Sequence, residues 1–257
     1  MFFGDYMLID THCHLEKQYY ENMDEVIQRM PGIMITAGCD RDSNKEVLEI
    51  INKNKSIYGV IGIHPEFVDN YQEEDLKWIE EHIQDSKIVG IGEVGLDYHY
   101  DESSKEKQKE LFEKQIVLAK KYNKAVVVHS RDAILDTYEL MMKYPDVKYI
   151  LHCYGSSIEM ARRFLSLNIK FGIGGVVTFK NGEKLKEVVR EIPLSYLLLE
   201  TDSPYLTPEP FRGKKNEPSY TEIVASKIAE IKKISKEKVI EETAQNAISQ
   251  FDLPISL

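Results

Sequence analysis

Apolar residues gather along the chain in short clusters rich in β-branched side chains. Eight of these stand out, at 7–9, 33–36, 58–63, 88–91, 125–128, 149–151, 169–173 and 197–199. Apolar runs this short, with little alternation, predict strands buried on both faces. Between them the spacing becomes helical. Leu111, Phe112, Gln115, Ile116 and Ala119 mark one helix face, Ser103 and Glu106 form a capping-box pattern ahead of it, and the helix is predicted to end near Asn123. Leu76, Ile79 and Ile83 mark a second face, and Ile223, Ile228 and Ile231 a third. Strands alternating with helices every 20 to 40 residues or so predict repeated βα units around an all-parallel sheet.

Residues 203–220, reading SPYLTPEPFRGKKNEPSY, interrupt this rhythm with Pro204, Pro208, Pro210 and Pro218. Four prolines leave no regular element, and a structureless stretch this long predicts a binding loop. No glycine-rich phosphate fingerprint follows the first strand, and no low-complexity linker splits the chain. The expectation is an α/β fold in which residues 1–257 make a single (β/α)8 TIM-type barrel, with its active site at the C-terminal mouth of the strands.

The candidate chemistry stands directly after the predicted strands. MLIDTHCHL supplies His12 and His14, which alternation puts on one face, with Cys13 on the other. Glu93 follows the fourth strand, His129 the fifth, His152 the sixth and Asp202 the eighth. Any one of these alone reads as a packed or solvated polar residue. Together, at five strand ends, they read as a ligand set for two divalent ions. His12, His14, Glu93 and Asp202 are expected on the first, and Glu93, His129 and His152 on the second, with Glu93 bridging. Asp202 serves either as general base or as ligand alone. His64, in GIHPE, either orients or protonates a substrate oxygen or is a structural turn residue. His82 and His99 read as solvated.

Composition narrows the picture. With 42% hydrophobic and 30% charged residues the chain has the makeup of an ordinary soluble globular protein. Three cysteines, far apart, argue against a disulfide framework and fit a reducing compartment. Cys13 and Cys153 read as small packing residues. Residues 2–6 have neither the basic start nor the apolar core of a signal peptide, which predicts a cytoplasmic location. A formal charge of −10 gives no general attraction for a polyanion, so a nucleic-acid substrate requires local positive charge. The two cations would provide it, with Arg131, Arg212, Lys214 and Lys215 holding flanking phosphates. Tyr98, Tyr154, Tyr205 and Phe211 either stack on unpaired bases or are packing residues.

The segments DTHCHL, GIHP, GEVGLDY, VVHSRDA, ILHCY, ETDSPYL and FRGKKNEPSY resemble, in order and spacing, the TatD family of metal-dependent deoxyribonucleases, over Asp10 to Tyr220. Tyr154 departs from the Phe common in that family. The resemblance implies a TIM-type barrel with a dinuclear site at His12, His14, Glu93, His129, His152 and Asp202. It further implies Zn, Mg or Mn as the ions, and 3′-to-5′ exonuclease action on DNA. A recessed mouth would favour single-stranded or frayed ends. The same ligand set also suits a barrel hydrolase acting on an amide, lactone or aminoacyl ester, such as a D-aminoacyl ester on tRNA. A non-catalytic scaffold is a third reading, opposed by the completeness of the ligand set.

Overall fold

The computed structural model describes residues 7–99 and 104–255. Ser103 of the capping-box pattern and the signal-peptide reading at 2–6 lie outside the described residues. The elements in chain order are β1 (Leu8–Cys13), α1 (Met23–Arg29), β2 (Gly32–Ala37), α2 (Arg41–Lys53), β3 (Ile57–Ile61), α3 (Glu73–His82), β4 (Ile88–Asp97), α4 (Lys105–Tyr122) and β5 (Ala125–Arg131). They continue with α5 (Ile134–Met142), β6 (Tyr149–Leu151), α6 (Ile158–Phe164), β7 (Ile169–Ile173), α7 (Glu183–Glu191), β8 (Leu197–Leu199), α8 (Thr221–Lys232) and α9 (Lys236–Phe251). The strands are parallel, lie in sequence order and form a nearly closed (β/α)8 barrel of the TIM type. Among the described residues, no helix is long and apolar enough to cross a membrane.

Two compact units can be described. The first takes in β1, most of β2, β7, β8, α8 and α9. In it β1 pairs with β2 and β7 with β8, and an isolated bridge joins Cys13 to Ser203. Leu15, Met34, Phe171, Leu198, Val224 and Ala247 are buried here. Helix α9, which the apolar spacing did not single out, starts at Ser235, whose side chain accepts from the Lys238 N–H.

In the second unit β3, β4, β5 and β6 pair in turn over a core that includes Ile57, Ile61, Ile79, Ile91 and Phe112. The α4 face is the expected one: Leu111, Phe112, Gln115, Ile116 and Ala119 are buried, and Asn123 closes the helix in the left-handed conformation. Its two buried glutamines clamp the strand exits. Gln115 bonds both the N–H and the C=O of Ile63, and Gln108 those of Asp97.

Three strands outrun the sequence reading, and all do so at candidate ligands; β5 runs on through His129 to Arg131. β1 extends to Cys13 through a register shift between Asp10 and Cys13. β4 runs four residues past Glu93: pairing with β5 shifts between Ile91 and Val94, then resumes from Val94 opposite Val128 to Asp97 opposite Arg131. Glu93 therefore sits at an irregularity inside a long strand, where an extra residue re-aims a side chain.

Candidate metal centre

In the first unit, the exits of β1 and β8 are tied by backbone bonds. His14 N–H donates to Ser203 O at 2.7 Å and Asp202 N–H to His12 O at 2.9 Å. Beneath them the buried Asp10 carboxylate accepts from the Thr201 hydroxyl (2.6 Å), the Thr201 N–H (3.0 Å) and the His12 N–H (3.2 Å). Burial pushes the Asp10 carboxyl up to about 7, against the pull of those bonds.

This scaffold aims three donor atoms at one another. His12 Nε2 lies 3.3 Å from His14 Nε2, and Asp202 Oδ1 lies 3.7 Å from the first and 3.6 Å from the second. Ligands about 2.0 to 2.1 Å from a tetrahedral ion stand about 3.4 Å apart, so the spacing fits a divalent cation. His152 stacks on His12 with ring centroids 4.1 Å apart, and ligand atoms of His12, His152 and Asp202 all lie within 4.8 Å of one another. Burial raises the Asp202 carboxyl, but the His14 hydrogen bond and the His152, His12 and His14 charges outweigh it and hold Asp202 below its ordinary value. Asp202 (φ 55°) and Cys153 (φ 46°) occupy left-handed backbone, uncommon for non-glycine residues and frequent at functional sites.

The second unit carries its own cluster. Glu93 Oε1 lies 2.9 Å from His129 Nδ1 and 3.5 Å from His64 Nε2, and one ligand atom from each residue fits within 4.8 Å. The other nitrogen of His129 reaches Asp97 Oδ2 at 2.9 Å. A ring nitrogen left to a metal while its opposite N–H binds a carboxylate is the arrangement that orients metal-ligating histidines. Burial would depress the His129 imidazolium, but the Asp97 and Glu93 contacts raise it to about 9. Asp97 is held below its ordinary value despite burial, by the bonds from His129 and the His99 N–H. His64 Nδ1 accepts from the Glu66 N–H at 3.3 Å, which leaves the proton on Nε2 facing Glu93. The Cys39 thiol approaches the other Glu93 oxygen at 3.8 Å.

Six expected residues and His64 thus fall into two groups: His12, His14, His152 and Asp202 in the first unit, and Glu93, His129 and His64 in the second. His152 makes its close ring contact with His12. Cys13 is buried, its thiol on Ile35 O.

Tyr154 does not offer the substrate contact expected of it. The residue is 3% exposed, its ring lies edge-on to Phe171 and its hydroxyl donates to Ser157 O, because an aromatic this size fills the core where β7 leaves space. Tyr98 is likewise buried, its hydroxyl on Asp136. Tyr205 remains open at 49% exposure. Phe211 stacks on Tyr220, the Lys214 ammonium lies 5.5 Å from the centroid of the Phe211 ring, and the Arg212 guanidinium lies 4.0 Å from that of Phe179. Arg131 is exposed at the end of β5, opposite Asp97. His82 stacks on Trp78 and His99 pairs with Asp132, outside both groups.

Sequence reasoning missed Asp10, Asp97 and Glu200. Each lies inside a quoted motif, DTHCHL, GEVGLDY or ETDSPYL, and that position was the available signal.

Comparison with known proteins follows the same outline. A family model described as TatD related DNase matches residues 9–252. The metal-dependent hydrolase YabD of Bacillus subtilis is 45% identical over 252 residues, covering 95% of this chain and 99% of that protein. The metal-dependent hydrolase YcfH of Escherichia coli is 33% identical, covering 97% of each. The crystal structure of the TatD homologue YjjV of Escherichia coli superposes with a TM-score of 0.90 at 27% identity, over 96% of this chain and 98% of that one.

Proposed function

The chain belongs to the family of TatD-related DNases and is a metal-dependent hydrolase; from that premise we propose that the bond it cuts is the phosphodiester of DNA, removed from the 3′ end of single strands or frayed duplexes with two divalent ions in support. The observation that carries this reading lies in the Pro-rich loop. The exposed Tyr205 ring stands 6.1 Å from the His14 ring, a stacking surface beside the ligand cluster. On the same loop Arg212, Lys214 and Lys215 are exposed, and among the described residues none of them forms a salt bridge. Positive charge and an open aromatic ring next to metal-competent groups suit an unpaired phosphodiester chain in an otherwise acidic protein.

His12, His14, His152 and Asp202 would hold one ion, and Glu93 and His129 the other. Divalent ions supply Lewis acidity and lower the pKa of water to near neutrality. The Asp202 carboxylate, ionised at neutral pH, accepts the proton of the attacking water. His64, protonated on Nε2, donates toward the leaving oxygen. Arg131, Arg212 and Lys214 orient the phosphates on either side. Displacement is in line, with no covalent enzyme intermediate. A cytoplasmic setting forms part of the proposal.

The test uses 5′-labelled single-stranded DNA with Mn2+, beside closed circular duplex and misacylated tRNA. Products shortening stepwise from the 3′ end, with the circle resistant, are expected. Deacylation of the tRNA with DNA untouched would overturn the DNase reading in favour of an aminoacyl-ester hydrolase, and metal-dependent turnover of any substrate disposes of a non-catalytic scaffold.

A further inference from the structure

Glu200, the residue after β8, is fully buried and lies among none of the candidate ligands. Its Oε1 accepts the Cys153 N–H, and its own N–H donates to Ile173 O at 3.2 Å. The carboxylate lies flat on the backbone of β7: a Cβ on Gly172 would stand 2.0 Å from Glu200 Oε2 and 2.5 Å from its Cδ. Only glycine leaves that room. A carboxyl group taken this far out of water loses its hydration, so a buried one needs a reason for being there.

The peptide unit that Glu200 grips begins at the α-carbon of His152. Fixing the Cys153 N–H fixes that plane, and with it the backbone angle from which the His152 ring departs. The rest of the corner is held from the same side. Cys153 takes φ 46°, Tyr154 N–H donates to Gly172 O at 3.1 Å, and the Tyr154 ring packs on Phe171. The bond from the Cys153 N–H to Glu200 is the restraint on this corner that a side chain supplies. Two residues further along, the same chain exit presents Asp202.

We propose that Glu200 is a positioning residue for His152: one strand end supplies Asp202 as a ligand directly and sets the orientation of a second ligand through the Cys153 N–H. The inference rests on the reading of His12, His152 and Asp202 as a metal site. It places Glu200 in the outer shell of that site, where loss of a supporting group typically weakens metal affinity about 10- to 100-fold.

The experiment is a Mn2+ titration of the full chain, read by calorimetry and by the EPR signal of the free ion, on the wild type, Glu200→Ala, Glu200→Gln, His152→Ala and the Glu200→Ala/His152→Ala pair. Circular dichroism of the metal-free proteins reports folding. The expected result is a loss of about 10- to 100-fold for Glu200→Ala, partial recovery for Glu200→Gln, which keeps an acceptor at the same reach, and no further loss when Glu200→Ala is added to His152→Ala. Should Glu200→Ala not fold, Gly172→Ala, which displaces the carboxylate without removing it, is expected to weaken Mn2+ binding in its place. A folded Glu200→Ala or Gly172→Ala that binds Mn2+ like the wild type, or losses that add fully in the pair, would overturn the positioning role. Unchanged binding in His152→Ala would instead overturn the metal-site reading beneath it.

Discussion

Replacing Asp97 with Asn tests how the second cluster is held. In the metal-free protein, His129 stands between two carboxylates at 2.9 Å each, with His64 4.5 Å away ring to ring and Arg131 biasing Asp97. The resulting rise from 6.5 to about 9 corresponds to about 3 kcal/mol net favouring the imidazolium, the Asp97 and Glu93 contacts together outweighing the opposing effect of burial. A divalent ion on Nδ1 must displace one proton, so wild-type affinity climbs as pH rises toward about 9 and levels off above it. In Asp97→Asn the imidazolium loses one carboxylate and titrates closer to neutrality, which relieves the competition below pH 9. The same change removes the partner that orients the ring, worth about 10- to 100-fold in affinity. The two effects oppose each other near neutral pH, and only the second survives at alkaline pH. Calorimetry with Zn2+ in buffers of differing ionisation enthalpy counts the protons released. The wild type is expected to release more protons on binding than Asp97→Asn at pH 7.5, by a fraction of one, and the affinity gap between them to widen from pH 7 to pH 8.5. Equal proton release, with equal affinity throughout, would refute the account of His129 as an imidazole oriented by Asp97.

Glu93→Ala is expected to lower bound metal to one equivalent or less and to cut hydrolysis by at least about 10³-fold, as measured by metal analysis and a labelled-DNA assay; full activity after chelation and reloading would rule out Glu93 as a metal-holding residue. Arg212→Ala and Lys214→Ala should each raise KM with kcat nearly unchanged and reduce the slope of log affinity against log salt by about one, as loss of a single phosphate contact requires. Asn216 bonds Thr201 O, Tyr205 O and the Glu217 N–H, tying the Pro-rich loop to the exit of β8. Asn216→Ala leaves those buried groups unpaired, at about 1 to 3 kcal/mol each at most, and limited proteolysis should cut the loop faster than in the wild type.

Much of this protein was legible in the order of its residues. Runs such as 125–128 and 149–151 could only be buried strands, and the ligands follow them because strand ends bring side chains to a mouth. The α4 face was readable down to Gln115, since period 3.6 sorts buried from exposed positions on a helix. Local periodicity cannot say which polar groups satisfy one another across long separations. Asp10 finds Thr201, Asp97 finds His129 and Glu200 finds Cys153, at separations of 191, 32 and 47 residues. The register shift that puts Glu93 inside β4 belongs to a strand pair rather than to a strand. Whether Tyr154 faces a substrate or Phe171 depends on the room its neighbours leave. Sequence determined which chemistry was available and at which strand ends; the tertiary structure decided how buried carboxylates and imidazoles hold one another, because that depends on distance in space and loss of solvent, neither of which spacing along a chain encodes.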